Sequence, residues 1–343
     1  MLAIRGSRWR APRRSSPDRP GGCGPGNSST GGGGATRQLT VRQTLVVKFT
    51  LALAMCPPER ILPLARIADE AGWDAVALPD SVFFPETVSA PYPFSADGER
   101  FWSPDTPFIE PFVAIAAMAA VTEHLEFFTN VLKAPLREPL LMAKTVGSLA
   151  ALFPGRIGLG VGLSYLPEEF RWLSQEKATR GARLDEQIEI IRAILAGGWV
   201  EHHGSHYDFD RLQMSPLPPA DRQVPIHVGG HSEAAMRRAA RIGDGWIGAQ
   251  SNRDDLAALI SRLQVALDAE GGAPESFEVQ ATPLVPATVD AMADLAAIGL
   301  TGVITIPWYF SGGDPNDPSH QDDAVRWFAD TVIRPLRDLE PTP

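Results

Sequence analysis

The sequence predicts an α/β chain folded as a (β/α)8 TIM barrel, and three observations carry that expectation. Short apolar runs alternate with helical stretches eight times along the chain. The runs are apolar throughout rather than at every second position, as strands buried on both faces of a parallel sheet are. Glycine-rich segments, Gly158-Leu159-Gly160-Val161-Gly162-Leu163-Ser164 and Val228-Gly229-Gly230-His231-Ser232, stand where apolar runs give way to helical patterns. Eight βα units close naturally into a barrel with its functional groups at the C-terminal strand ends. An open doubly wound sheet is the alternative, and eight strands disfavour it.

Taken in order, the strands are expected at Val46–Ala54, Ala75–Pro79, Leu125–Leu132, Ile157–Val161, Ile226–Val228, Gly245–Gly248, Phe277–Thr282 and Val303–Ile306. The helices between them are expected at Glu59–Ala71, Pro111–Val121, Pro139–Leu152, Arg180–Ala196, Ser232–Ile242, Asp254–Glu270, Val289–Ile298 and Gln321–Asp338. Two insertions break the rhythm, one after the second strand and one after the fourth helix. The first, Ser81 to Ile109, is much longer than an ordinary βα loop and holds Phe83, Phe84, Tyr92, Phe94, Phe101, Trp102 and Phe108. An aromatic loop at the catalytic end of a barrel reads as a substrate wall or lid. The second, Gly197 to Pro225, alternates around Gly204-Ser205 as a β-hairpin does.

Composition limits the functions on offer. The 343 residues are 44% hydrophobic and 21% charged, ordinary for a globular protein with a sizeable core. The net charge is −10, and its distribution is uneven: residues 1–44 hold eight Arg against Asp18, so the remainder carries −17. A body that acidic argues against nucleic acid or an anionic membrane as the partner. Cys23 and Cys56 form no CxxC pair, and no apolar run reaches membrane-spanning length. Residues 1–44 also contain nine Gly, four Pro and five Ser, too little apolar surface to offset the entropy of ordering. They are expected to be a disordered extension, with the barrel domain over residues 45–343. A transit peptide is the competing reading, which the glycine and proline content opposes.

The glycine-rich segments suggest an anion site. Without a Cβ, backbone N–H groups approach a phosphate closely, and the following helix N-terminus adds its positive dipole end. Tight turns in a repeated βα fold are the alternative reason for the same glycines. Metal chemistry fares poorly. His202 and His203 face opposite sides of a strand and cannot jointly ligate, with His206 beyond the turn, so no metal is expected. Lys133, just past the third strand, is the one well-placed candidate for Schiff-base chemistry. No GxSxG elbow or P-loop is present.

Four blocks, Leu152-Phe153-Pro154-Gly155-Arg156-Ile157-Gly158-Leu159-Gly160-Val161-Gly162, Pro167-Glu168-Glu169-Phe170, Arg180-Gly181-Ala182-Arg183-Leu184-Asp185-Glu186 and Pro225-Ile226-His227-Val228-Gly229-Gly230-His231-Ser232, resemble the bacterial luciferase-like monooxygenases. The likeness covers about Val47 to the C-terminus. Within that family, Leu78-Pro79-Asp80-Ser81 and Thr129-Asn130-Val131-Leu132 are most similar to the branch that uses the deazaflavin coenzyme F420. The resemblance implies a non-proline cis peptide at Asn130-Val131 that bulges against the cofactor ring. It also implies cofactor contacts at Gly162, Leu163 and Ser164 and at Gly229, Gly230, His231 and Ser232, with Asp80 near the ring. A small-molecule substrate, a homodimer and a cytoplasmic location are further expectations of the resemblance.

The sequence departs from several F420-dependent dehydrogenases at one telling place. They carry a histidine directly after the aspartate, where this chain has Ser81, whose hydroxyl is no base near neutral pH. Asp80, Ser81, Tyr165, which matches an acidic active-site position of some relatives, and Glu86 on the lid are therefore the candidate catalytic residues. The expected function is an F420-dependent oxidoreductase, with an FMN-dependent monooxygenase or a non-catalytic flavin- or deazaflavin-binding protein as alternatives.

Overall fold

Along each barrel strand successive side chains point to opposite sides, so one sequence must satisfy two environments. In the computed structural model, which describes residues 47–95 and 97–339, the outward residues form the main core and the inward ones a smaller cluster. The extension expected over residues 1–44 lies outside the described residues.

The first half of the barrel runs β1 (Lys48–Ala52), α1 (Pro58–Ala71), β2 (Ala75–Leu78), α2 (Pro111–Ala119), β3 (Glu126–Thr129), β4 (Leu132–Lys133), α3 (Pro139–Leu152) and β5 (Ile157–Gly162). It continues with α4 (Pro167–Trp172), α5 (Arg180–Ala196), β6 (Val200–His203) and β7 (Asp208–Leu212). The second half is β8 (Ile226–Gly229), α6 (Glu233–Ile242), β9 (Gly245–Ser251), α7 (Arg253–Ala269) and β10 (Glu278–Pro283). The chain ends in α8 (Val289–Ala297), β11 (Gly302–Thr305), α9 (Pro318–Phe328) and α10 (Arg334–Asp338). The parallel order β3-β2-β1-β11-β10-β9-β8-β5 closes through a β3–β5 pairing, giving eight strands and the (β/α)8 barrel. The predicted hairpin forms as the antiparallel pair β6–β7.

The helices start where the chemistry says they should. Pro occupies the first turn of α1, α2, α3, α4 and α9, where its missing N–H costs nothing. Ser232, Asn252, Thr288 and Asp317 cap α6, α7, α8 and α9 through side-chain oxygens. Gly72 closes α1 in the left-handed conformation at φ 86°.

Three expectations need correction. The third strand is not continuous to Leu132 but breaks between β3 and β4. The single helix expected over Gln321–Asp338 is α9 and α10 joined by a π turn at Ala329–Ile333. Pro335 explains the wider turn, since it has no N–H to donate back along the helix. Finally, the strand expected at Ile157–Val161 runs one residue further, so Gly162 belongs to β5 rather than to the turn after it.

The barrel interior is layered. Ala52, Ala75, Ala77, Phe128, Ile247 and Ile304 fill its middle. Below them, toward the N-terminal strand ends, charge replaces hydrocarbon. Lys48 Nζ lies 3.1 Å from Glu126 Oε2 and 2.9 Å from Glu278 Oε1. Glu278 Oε2 sits 2.8 Å from His227 Nε2 and accepts from Gln280 Nε2 at 2.8 Å. Burial alone would push the Glu278 carboxyl up, but His227 and Lys48 outweigh it and hold the pKa at about 2.

That depression is a stability statement. A carboxylate whose pKa is lower folded than unfolded stabilises the fold above its unfolded pKa, and loses that contribution as pH falls through the folded value. The drop from 4.5 to about 2 corresponds to an order-of-magnitude contribution of about 3 kcal/mol near neutrality. Glu278→Gln is therefore expected to lower stability at pH 7 and to flatten the decline between about pH 4.5 and 2. Chemical denaturation across that range measures it, and an unchanged acid profile would remove Glu278 from the account.

Candidate functional site

The C-terminal mouth of the barrel is shaped by the break between β3 and β4. The peptide between Asn130 and Val131 is cis, as the resemblance implied. Two bonds hold the flanks: Thr129 Oγ1 donates to the Gly160 carbonyl at 2.6 Å, and the Asn130 amide donates to the Leu78 carbonyl at 2.6 Å. The Val131 side chain then projects into space that two neighbouring strands leave open. A Cβ added at Gly162 would lie 2.6 Å from Val131 Cγ2, and one at Gly229 would lie 2.9 Å from Val131 Cγ1. A Cβ at Gly160 would lie 2.0 Å from the Thr129 carbonyl oxygen. The glycines of β5, read from sequence as a phosphate turn, thus make room for the end of the third strand.

Asp80 is buried at the end of β2 with both oxygens engaged. Arg137 grips it with two bonds, Nη1 to Oδ2 at 2.6 Å and Nη2 to Oδ1 at 2.9 Å, and the Lys133 amide donates to Oδ2 at 2.8 Å. Such a forked pair is the strong form of the interaction. Ser81, next along, makes no hydrogen bond among the described residues.

A second buried carboxylate is joined to the first through Lys133. Glu169, on α4, is fully buried, with Lys133 Nζ 2.5 Å from Oε1 and the Ser164 hydroxyl donating to Oε2. Ser164 also accepts from the Leu166 amide at 3.1 Å. Its hydroxyl is therefore committed to the protein, while Leu163 beside it is exposed.

The segment after β8 has the geometry of an anion cradle. Gly230 has φ 124°, and a Cβ there would be 3.0 Å from the Ala235 Cβ. Ser232 caps α6 by accepting from the Ala235 amide at 3.2 Å. The amides of Glu233 and Ala234, in the first turn, have no partner among the described residues, as the unsatisfied head of a helix presents them. His231 Nε2 accepts from the Ala249 amide at 2.9 Å, so the ring proton resides on Nδ1. Burial, and then the charge of Arg262, holds the His231 pKa below its ordinary value.

The long insertion covers this mouth. Tyr92 is its hub, with ring centroids 4.9 Å from Trp102, 5.7 Å from Phe101 and 5.5 Å from Tyr165 after β5. Phe94 reaches the His231 ring at 6.0 Å. The lid thus spans from the end of β2 to the ends of β5 and β8. Burial pushes the Tyr92 and Tyr165 hydroxyls above their usual pKa.

Asp80, Asn130, Val131, Gly162, Ser164, Gly229, Gly230, His231, Ser232 and Tyr165 therefore all stand at strand ends around one mouth. Glu86 does not join them; it is exposed on the lid facing α4. Sequence reasoning missed Arg137 as the partner of Asp80, and saw Glu169 only as part of a motif. Lys133 was visible, but for a different chemistry. The His202 and His203 rings instead approach Glu186 and Asp208, at 3.4 and 2.6 Å.

Comparison with known proteins gives this arrangement a setting. Residues 44–320 match the family described as luciferase-like monooxygenase. The chain is 41% identical over 290 residues to the "Uncharacterized protein Rv0940c" of Mycobacterium tuberculosis, covering 84% of this chain and 99% of that one. It is 32% identical over 195 residues to the F420-dependent glucose-6-phosphate dehydrogenase of Nakamurella multipartita, covering 55% of this chain and 52% of that protein. In fold, it is similar to the coenzyme F420-dependent tetrahydromethanopterin reductase of Methanopyrus kandleri, with a TM-score of 0.66 at 14% identity over 85% of this chain and 99% of that one.

The contact between Val131 and the glycines makes a sharp expectation. Gly162→Ala should overpack the mouth and cost about 1–3 kcal/mol. Pairing it with Val131→Ala should recover at least ~0.5 kcal/mol beyond additivity. Urea unfolding of the four proteins of the cycle measures the coupling, and strict additivity would show that Val131 is not what Gly162 accommodates.

Proposed function

The chain belongs to the luciferase-like monooxygenase family, and from that premise we propose that it is a coenzyme F420-dependent oxidoreductase that reduces a small organic substrate. The observation that carries the proposal is the head of α6, where Gly230 at φ 124° and the unpartnered amides of Glu233 and Ala234 follow Gly229, whose missing side chain makes room for Val131. These residues fit a cofactor with a flat ring system at one end and a phosphate farther along. Val131 and Asn130 would support the ring, and the α6 amides and dipole would hold the phosphate. Similarity to relatives named as F420-dependent favours a deazaflavin over FMN.

A deazaflavin supplies hydride at C5 and reacts poorly with oxygen; orientation, electrostatics and proton delivery are left to the protein. Here the lid aromatics, packed around Tyr92, would shield a bound ring from water. Asp80 positions rather than reacts: it fixes Arg137 and the backbone at Lys133. Tyr165, kept as a phenol by burial, is the residue proposed to hold the proton that accompanies hydride transfer. Ser81 and Leu163 would contact substrate or ring. Assembly as a homodimer and a cytoplasmic location belong to the same proposal; among the described residues no helix is long and apolar enough to cross a membrane.

The cofactor assignment is tested by fluorescence titration. F420 is expected to bind at least tenfold more tightly than FMN, a difference of about 1.4 kcal/mol. Gly230→Val should abolish that binding while the barrel stays folded. Equal or tighter FMN binding would overturn the assignment and promote an FMN-dependent monooxygenase.

The acid-base roles separate by substitution. Tyr165→Phe is expected to lower the hydride-transfer rate by about 10²–10⁴ with little change in cofactor affinity. Asp80→Asn should lower turnover more than Ser81→Ala. It should also cost stability of about 2–3 kcal/mol, somewhat under the usual figure for a broken buried pair because Arg137 is partly exposed. Stopped-flow rates and denaturation on the three variants decide it. A Tyr165→Phe enzyme with wild-type rate would take the proton away from Tyr165.

A further inference from the structure

Outside the mouth, a cavity of about 330 Å³ opens between the lid and α4, within the size range of small-molecule sites. Glu86, Val88 and Ser89 wall it on the lid side, and Glu168, Arg171 and Trp172 on the helix side. Adjacent carboxylates on α4 thus serve different places, Glu169 the mouth and Glu168 this cleft.

Glu168 is only 5% exposed. Its Oε1 accepts from the Ser89 hydroxyl at 2.6 Å and from the Ser89 amide at 3.2 Å. Its Oε2 is buried with no hydrogen-bond partner. A buried carboxylate oxygen without a donor is costly, and natural structures rarely leave one so. The bonds from Ser89 hold the Glu168 pKa below the ordinary carboxylate value, so the unpartnered oxygen belongs to an anion.

Two further features say what kind of donor is missing. Trp172 is 53% exposed, with the Phe83 ring 5.2 Å from it. Glu86 adds a second carboxylate at the rim. Arg171 acts on Glu168 through its charge but makes no hydrogen bond or ion pair with it among the described residues; its guanidinium lies over the Trp172 ring, 5.7 Å from the centroid. A buried anion beside an indole is the combination that recognises an organic ammonium, by ion pairing at one end and by cation–π contact.

We propose that the cleft between the lid and α4 binds the primary ammonium group of a small organic amine, with Glu168 as its anion and Trp172 as its aromatic wall. A small turn of the Glu168 carboxylate, or a shift of the lid at Ser89, presents Oε2 to the ligand. The site is independent of the cofactor, so it stands or falls apart from the oxidoreductase proposal.

Isothermal titration of the full chain, without cofactor, tests it with 2-phenylethylammonium, 2-phenylethanol and 3-phenylpropionate as probes. The ammonium is expected to bind at least tenfold more tightly than the alcohol, and the carboxylate not at all. Glu168→Gln keeps an oxygen for Ser89 and should weaken the ammonium at least tenfold while leaving the alcohol unchanged. Arg171→Gln, at an exposed position that does not threaten folding, should strengthen the ammonium about threefold or more by removing a like charge. Equal affinity for ammonium and alcohol, or an ammonium affinity indifferent to both substitutions, would overturn the proposal and leave an apolar groove.

Discussion

The packing of Val131 against strands that have given up their side chains is the contact on which the rest of the mouth depends. At Gly160, Gly162 and Gly229 a single added carbon would fall 2.0 to 2.9 Å from the third strand's end, closer than real Cβ atoms come. Protein interiors tolerate little overlap, so these positions fix where the bulge can sit. Because the bulge is fixed, Asn130 can bond Leu78 and Thr129 can bond Gly160, and the ends of β2, β3 and β5 become one rigid rim. Rigid supports of this kind are what a site needs to hold a reactive ring in place.

Charge completes what packing begins. Two buried carboxylates brace the rim, each tied to a cation from the segment after the bulge: Asp80 to Arg137, Glu169 to Lys133. Buried ion pairs contribute little net stability over hydrophobic packing, but removing one partner is expensive. They therefore act as locks. The backbone from Lys133 to Arg137 is held from both sides, and the rim cannot relax without exposing or orphaning a charge. The floor of the barrel uses charge differently, with Lys48, Glu126, Glu278 and His227 closing the N-terminal end far from the mouth.

Much of this was legible in the chain. All eight strands and eight helices of the barrel follow from apolar periodicity, because a buried parallel strand leaves an unbroken apolar run that few other structures do. The hairpin announced itself in the alternation around Gly204, and the lid in a loop too long and too aromatic to be a connector. What was not legible depends on contacts distant in sequence. Nothing near Gly158, Gly160 and Gly162 says that their missing side chains serve residues 128–131, so a strand that makes room reads like a turn that binds phosphate. Asp80 read as a free acid because Arg137 lies 57 residues away. The short helix α4 was overlooked because Pro167-Glu168-Glu169-Phe170 is too brief for periodicity to register.

The same contacts bear on the direction of the proposed reaction. A dehydrogenase needs a group that accepts the proton as hydride leaves the substrate. Among the described residues, the two buried carboxylates of this mouth are already paired. Both oxygens of Asp80 are held by Arg137, and both oxygens of Glu169 by Lys133 and Ser164. His231 has Nε2 occupied by the Ala249 amide and a proton on Nδ1. Two donors stand at the same strand ends, the Tyr165 phenol and the His231 N–H. Hydride arriving at a substrate leaves negative charge on the neighbouring atom, and donors placed in advance stabilise that charge as it develops. Donors beside two carboxylates that are already paired support, for the proposed reaction, reduction of a polarised double bond over oxidation of an alcohol, and Ser81, whose hydroxyl is no base near neutral pH, fits the same reading.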